Sequence, residues 1–108
     1  MNKFNQVRYN HEAQRLIQER INALQRLSFS QAASLTESAE EKMVIEGKQC
    51  SLFVLSQQWK NNSILVVVVV ARKLWWGLAS SHTERGLIFF PDGVVREANS
   101  QELMDSGG

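Results

Sequence analysis

The chain has one cysteine, one proline and six glycines among 108 residues. A single cysteine excludes a disulfide within the chain and a zinc cage of cysteine thiolates. Twelve basic and 11 acidic residues give a net charge of +1, which argues against a strongly basic nucleic-acid binder. The most apolar run, residues 64–71, is too short for a membrane-spanning helix, which needs about 20 residues. The first ten residues lack the apolar segment of a secretory signal, so we expect a cytoplasmic protein without membrane contact.

The composition is that of a globular domain. Hydrophobic residues make up 44% and charged residues 21% of the chain, close to the averages for soluble proteins. A chain of 108 residues buries enough surface for one core and is too short for two. We therefore expect a single α+β domain over residues 1–108, with residues 1–9 and 105–108 frayed at its ends.

The N-terminal third shows helical periodicity. Asn10 stands where it can cap a helix, and apolar residues then recur at spacings of three and four. Ser28 and Gln31 have the spacing of a capping box, which predicts a short second helix over residues 31–35. Residues 36–41 are polar and acidic and are predicted to form a linker or one more helical turn. The predicted long helix is amphipathic, with an apolar stripe of Ala13, Leu16, Ile17, Ile21, Leu24 and Leu27.

After Lys42 the pattern changes to strands separated by turn signals. Strands are predicted over residues 43–46, 49–57, 64–72, 87–90 and 94–97. The expected turns are a type II′ turn at Gly47-Lys48, a left-handed turn at Asn61-Asn62 and a turn at residues 91–93. Residues 74–85 are predicted to extend a strand and then form a loop. Short turns between successive strands predict an antiparallel meander of four to five strands, with the long N-terminal helix packed on it.

Three of these strands are apolar on both sides. Side chains alternate between the faces of a sheet, so Val66, Val68 and Val70 face one way while Leu65, Val67 and Val69 face the other. Residues 50–55 and 87–90 show the same property. One amphipathic helix covers one face. The short helix over residues 31–35 and a final C-terminal turn, which Ser100 is expected to cap, are too small to cover the second face. The sequence therefore predicts a homodimer through the second sheet face; the alternative is a sheet that curls around the helix and closes on itself.

Few residues suggest chemistry. Ser80, Ser81, His82 and Glu84 include the residue types of a hydrolytic site, but they are almost consecutive, which is typical of a polar loop. His11 and His82 lie far apart in the sequence, and Cys50 stands in an apolar strand pattern. Glu37, Glu40 and Glu41 lack the ligand spacing of a calcium loop. We therefore predict no catalytic residue, no metal and no cofactor.

A basic and aromatic cluster is the candidate interaction surface. Tryptophan beside arginine is enriched at protein interfaces, and stacking aromatics beside cations also suit single-stranded nucleic acid. A simpler interpretation places one tryptophan in the core and one at its rim, with basic residues ending a strand. The cluster consists of Arg72, Lys73, Trp75, Trp76 and Arg85.

Three functions remain open from the sequence. The first is a small non-enzymatic interaction domain that acts as a homodimer, with a further protein partner. The second is a ligand-binding or enzymatic domain with a pocket between helix and sheet, lined by Trp59, Trp75 or Phe53; His82 or Glu84 beside a tryptophan would favour it. The third, and the least favoured, is a weak binder of single-stranded nucleic acid through the basic and aromatic cluster. The biological process and the identity of any ligand are not indicated.

Overall fold

The chain folds as a helix-on-sheet domain. The computed structural model describes residues 3–35, 38–73 and 80–105, and the side chains of residues 8–35, 41–71 and 83–105. The predicted α+β class is confirmed. The elements in these ranges are α1 (Lys3–Leu24), α2 (Phe29–Ala33), β1 (Ser38–Ile45), β2 (Lys48–Gln58), β3 (Ile64–Lys73), β4 (Ser80–Phe89), β5 (Val95–Glu97) and α3 (Ser100–Asp105).

The five strands form one antiparallel sheet in chain order, β1-β2-β3-β4-β5. The predicted meander is therefore confirmed, and the valine-rich strand β3 lies at the centre of the sheet. A central position suits this strand because an uncharged run of β-branched residues at a sheet edge would promote aggregation. At one end of the sheet, β5 pairs with only three residues of β4.

Helix α1 buries most of its apolar stripe against the sheet, while Leu16 and Leu27, the latter beyond the end of α1, are only partly buried. Ala13, Ile17 and Ile21 are at most 1% exposed, and Leu24 is 8% exposed. They pack in one core with the side chains of β3 that face the helix, which are Ile64, Val66, Val68 and Val70. The sequence leaves open which of the two sets of β3 side chains faces the helix. The structure shows that the even-numbered residues face α1.

The long helix begins earlier than predicted. Helix α1 starts at Lys3, so Asn10 is an exposed residue inside the helix and not its N-cap. Tyr9 explains the difference: its side chain is 2% exposed and belongs to the same core as Ala13 and Ile17. The apolar stripe therefore continues one turn further toward the N-terminus than the pattern of aliphatic residues suggests.

The predicted capping box is confirmed. The Gln31 backbone N–H donates to Ser28 Oγ at 3.1 Å, and the Ser28 backbone N–H donates to Gln31 Oε1 at 2.8 Å. The capped helix spans Phe29–Ala33 and not residues 31–35, because a capping box places the first helical residue directly after the serine.

Two segments predicted as loops are strands. Residues 38–41, predicted as a linker or helical turn, belong to β1 and pair with β2. Residues 80–84, predicted as a polar loop, belong to β4 and pair with β3. In both cases the pairing with a neighbouring apolar strand determines the conformation, which the local polar composition does not reveal.

The first hairpin turn also differs from its prediction. Its two loop residues are Glu46 (φ 50°) and Gly47 (φ 75°), so two successive positive φ angles give a turn of the I′ kind and not II′ at Gly47-Lys48. Lys48 instead begins β2 and pairs with Ile45. This register buries Ile45, which is 2% exposed, and the gain from that burial fixes the turn one residue earlier.

The other two predicted turns are confirmed. Asn61 and Asn62 adopt left-handed conformations with φ of 56° and 62°, which asparagine tolerates better than most residues. Between β4 and β5 the chain reverses at Gly93, with φ 95°, and the Phe90 N–H donates to the Val94 carbonyl at 2.9 Å. No helix in the described ranges is long and apolar enough to cross a membrane.

Candidate interaction surfaces

The sheet face opposite α1, here called the outer face, is divided into two halves. Its covered half is a second core in which each residue is at most 8% exposed. Trp59, Val69 and Phe90 pack around this core. The prediction that both sheet faces are apolar is thus confirmed, but the expectation that the C-terminal segment is too small to cover the second face is wrong for this half. The second core consists of Leu65, Val67, Ile88, Ala98 and Leu103.

Polar contacts hold α3 on the covered half. Asn99 Oδ1 accepts from the Glu102 N–H at 2.9 Å, and Glu102 Oε1 accepts from the Asn99 N–H at 3.0 Å. Arg96 donates to both Glu102 carboxylate oxygens, at 2.8 and 2.6 Å. The hydrogen bond from Arg96 lowers the pKa of Glu102 to about 2, so its carboxylate is charged at neutral pH. A six-residue helix is marginal by itself in water, and these caps compensate for its length.

Gly86 allows α3 to approach the sheet. A Cβ atom at this position would lie 3.0 Å from Leu103 Cδ2 and 3.2 Å from the Val66 carbonyl oxygen. The missing side chain therefore makes room for Leu103, and the Gly86 carbonyl also accepts from the Ala98 N–H at 2.8 Å.

Gly86→Ala is expected to destabilise the domain by about 1–3 kcal/mol, because the added methyl group overpacks this contact. Urea unfolding measures the change. Leu103→Ala removes one of the two obstructing groups, so the double variant should lose less stability than the sum of the single variants. Strict additivity would show that the two residues do not meet.

The other half of the outer face is only partly buried. We call its apolar residues, Phe53, Leu55, Val69 and Ala71, the outer strip. Leu55 is 38% exposed and the other three are half-buried. The strip lies in one patch because Phe53 pairs with Val69 in the register of β2 and β3.

The predicted basic and aromatic cluster is described only in part. Arg72 and Lys73 end β3, where Arg72 pairs with Cys50 and Ser81. Trp75 and Trp76 lie outside the described residues. Of the five side chains in the cluster, that of Arg85 alone belongs to the described side chains.

Arg85 is engaged within the chain. Its Nε donates to Glu97 Oε1 at 2.6 Å, and its guanidinium also donates to the side chain of Gln18 in α1. The hydrogen bond to Glu97 raises the pKa of Arg85, while the same bond lowers the pKa of Glu97. Arg85 therefore tethers α1 and β5 to the sheet and is not a free cation.

A shallow depression lies where α2 meets the end of the sheet. Its volume is about 170 Å³, and Phe29, Gln58, Trp59, Asn62, Ser63 and Ile64 line it. It thus includes Trp59 from the predicted pocket, but Phe53 lies elsewhere, on the outer face. None of these six lining residues is titratable, and the volume is below the roughly 300–1,000 Å³ of typical ligand sites.

The remaining candidate residues do not converge in the described structure. Glu84 pairs with Val69 across β3 and β4, while Ser80, Ser81 and His82 occupy successive register positions of β4. Within the described ranges no three His, Cys, Asp or Glu side chains are placed to hold a metal ion. Cys50 is 6% exposed, and burial raises the pKa of its thiol.

Comparison with protein-family models, with curated proteins and with solved structures found no match to this chain. The exposed surfaces of the molecule are therefore the basis for inferring its function.

Proposed function

We propose that this chain is a small non-enzymatic interaction domain that associates with a second copy through the outer strip. One observation supports this most: α3 covers half of the outer face, while the adjoining Phe53, Leu55, Val69 and Ala71 are left partly exposed in one patch. A two-fold axis through this patch would pack the outer strip of one chain against the outer strip of the second. This is the commonest way to cover a self-complementary apolar surface.

The size of the surface indicates weak association. The part of the outer face not covered by α3 spans four strands about 4.8 Å apart and about six residues of roughly 3.3 Å, or close to 400 Å² per copy. Two copies would bury roughly 800–1,000 Å², which is below the roughly 1,200 Å² of stable specific interfaces and in the range of weak, transient contacts. If half of that is apolar, the gross gain is about 10–13 kcal/mol, against a cost of roughly 4–15 kcal/mol for association. We expect this contact alone to join two copies reversibly, with micromolar or weaker affinity.

The other two functions have less support in the described residues. A catalytic or ligand pocket was expected to place His82 or Glu84 beside a tryptophan. Neither residue is among those that line the depression beside Trp59. Arg85 forms an ion pair with Glu97, so one of the cations proposed for nucleic acid is already neutralised. The single buried thiol of Cys50 suits a reducing compartment, and on that basis we propose a cytoplasmic location.

Leu55→Lys is expected to halve the mass of the assembly. Leu55 is 38% exposed, so a lysine there keeps its ammonium group in water in the separate chain, but places two charges in the proposed contact. Sedimentation equilibrium over roughly 10–500 µM protein measures the mass, and circular dichroism verifies the fold.

Val94→Lys is the matched control. Val94 is 53% exposed but lies beside the turn before β5, away from the outer strip. Its variant should keep the mass of the wild-type protein. The proposal fails if the wild-type protein is a 12.3 kDa monomer at all concentrations, or if both variants behave alike.

A further inference from the structure

Strand β1 forms a long open edge of the sheet. It comprises eight residues, Ser38–Ile45, and in the described structure it pairs only with β2. The opposite end of the sheet carries β5, which has three residues. An edge of eight residues offers unpaired backbone groups for pairing with another chain, and proteins usually protect such edges with charges, bulges or short strands.

The charges of β1 are arranged so that the strand is complementary to itself. Two copies of an edge strand related by a two-fold axis perpendicular to the sheet pair antiparallel, with one residue opposite its own counterpart. When that residue is Glu41, Glu40 of each copy stands opposite Lys42 of the other, which gives two pairs of opposite charge. Centring on Glu40 or on Lys42 instead places like charges opposite each other without these two pairs.

The one like-charged pair in this register already has a neutralising partner. Arg20 of α1 donates to Glu41 Oε2 at 2.6 Å, and both side chains are well exposed, at 40% and 56%. At the two-fold axis, two Glu41 carboxylates and two Arg20 guanidinium groups would form a cluster without net charge. The residues flanking the charges, Ala39 and Met43, then stand opposite each other.

We infer that β1 is a second self-association surface, at which two copies join edge to edge in the register centred on Glu41. The two sheets then continue as one ten-stranded sheet with both α1 helices on the same face. Charges in the middle of β1 thus serve two purposes: they discourage pairing with unrelated strands and select one register with a second copy of this chain.

Charge exchange in the Leu55→Lys background tests this edge without the outer-strip contact. With both contacts available, the wild-type chain should form assemblies larger than a dimer, and Leu55→Lys should reduce them to twice the 12.3 kDa chain mass at high concentration. Adding Lys42→Glu converts both attractive pairs into repulsive ones and should weaken the dimer by about tenfold or more. Adding Glu40→Lys as well restores opposite charges in exchanged positions and should restore the dimer.

Lys60→Glu in the same background makes the same change in net charge on the exposed β2–β3 turn and should leave the dimer intact. Failure of the double exchange to restore association, or a monomeric Leu55→Lys variant, overturns the edge interface while leaving the outer-strip proposal standing. If instead Leu55→Lys leaves the mass unchanged and Lys42→Glu lowers it, the edge is supported and the outer strip is not.

Discussion

Val68→Lys should leave the chain unfolded at 25 °C. The side chain of Val68 in β3 is fully buried between the sheet and α1. An unpaired charge in such a position costs several kcal/mol. Its cross-strand neighbour in the register is Arg85, so the new ammonium group would also stand opposite a like charge. Domains of this kind are stable by only about 5–15 kcal/mol. Circular dichroism and urea unfolding should show loss of the cooperative transition.

Val44→Lys provides the control for Val68→Lys. Val44 is also a strand valine, but it is 66% exposed, so its variant should remain folded with stability within about 0.5 kcal/mol of the wild-type protein. A cooperative transition of near wild-type stability for Val68→Lys would mean that the even-numbered side of β3 does not face the helix.

Val67→Lys is not a clean test of the dimer. Val67 faces away from α1, but it is only 5% exposed because the second core surrounds it. A charge there disturbs the covered half of the outer face within one chain. Leu55, which pairs with Val67 in the register and is more exposed, is the better position for separating assembly from folding.

Leu24→Ala should reduce the free energy of unfolding by about 2–5 kcal/mol. Leu24 ends α1 and is 8% exposed in the main core. Its replacement removes buried surface and leaves a cavity at the point where the helix leaves the sheet. Chemical denaturation monitored by circular dichroism measures the loss.

Met104→Ala is the comparison for Leu24→Ala, since Met104 is a helical side chain that is 68% exposed. Its truncation should change stability by less than about 0.5 kcal/mol. A similarly small change for Leu24→Ala would place the apolar stripe of α1 at the surface and contradict the helix-on-sheet packing.

Periodicity was sufficient to predict the central fold. The spacing of Ile17, Ile21 and Leu24 predicts the buried face of α1, and the uninterrupted apolar residues of β3 predict a strand buried on both sides. These signals are strong because burial of apolar side chains dominates the energetics of both elements. Turn chemistry was equally informative at Asn61 and Asn62, where few other residues accept the left-handed conformation.

Local composition was a poor guide where tertiary pairing determines the structure. Residues 80–84 are polar, and only their pairing with β3 makes them a strand. The covered half of the outer face depends on Leu103 fitting over Gly86, two residues that no short-range pattern connects. The outer strip is predictable only in outline for the same reason. The sequence indicates two apolar sheet faces, but it does not indicate that α3 covers half of one of them.

The meander has a consequence for the order of folding. Each strand pairs with its neighbour in the chain, so each hairpin requires closure of a short loop at modest entropic cost. Docking of α1 is different, since the hydrogen bond between Arg85 and Gln18 joins residues 67 apart in the sequence. Local hairpins therefore form with little loss of chain entropy, while the helix that completes the core closes the longest loop. In kinetic terms, mutations in the hairpins should act mainly on the folding rate and mutations in the helix mainly on the unfolding rate.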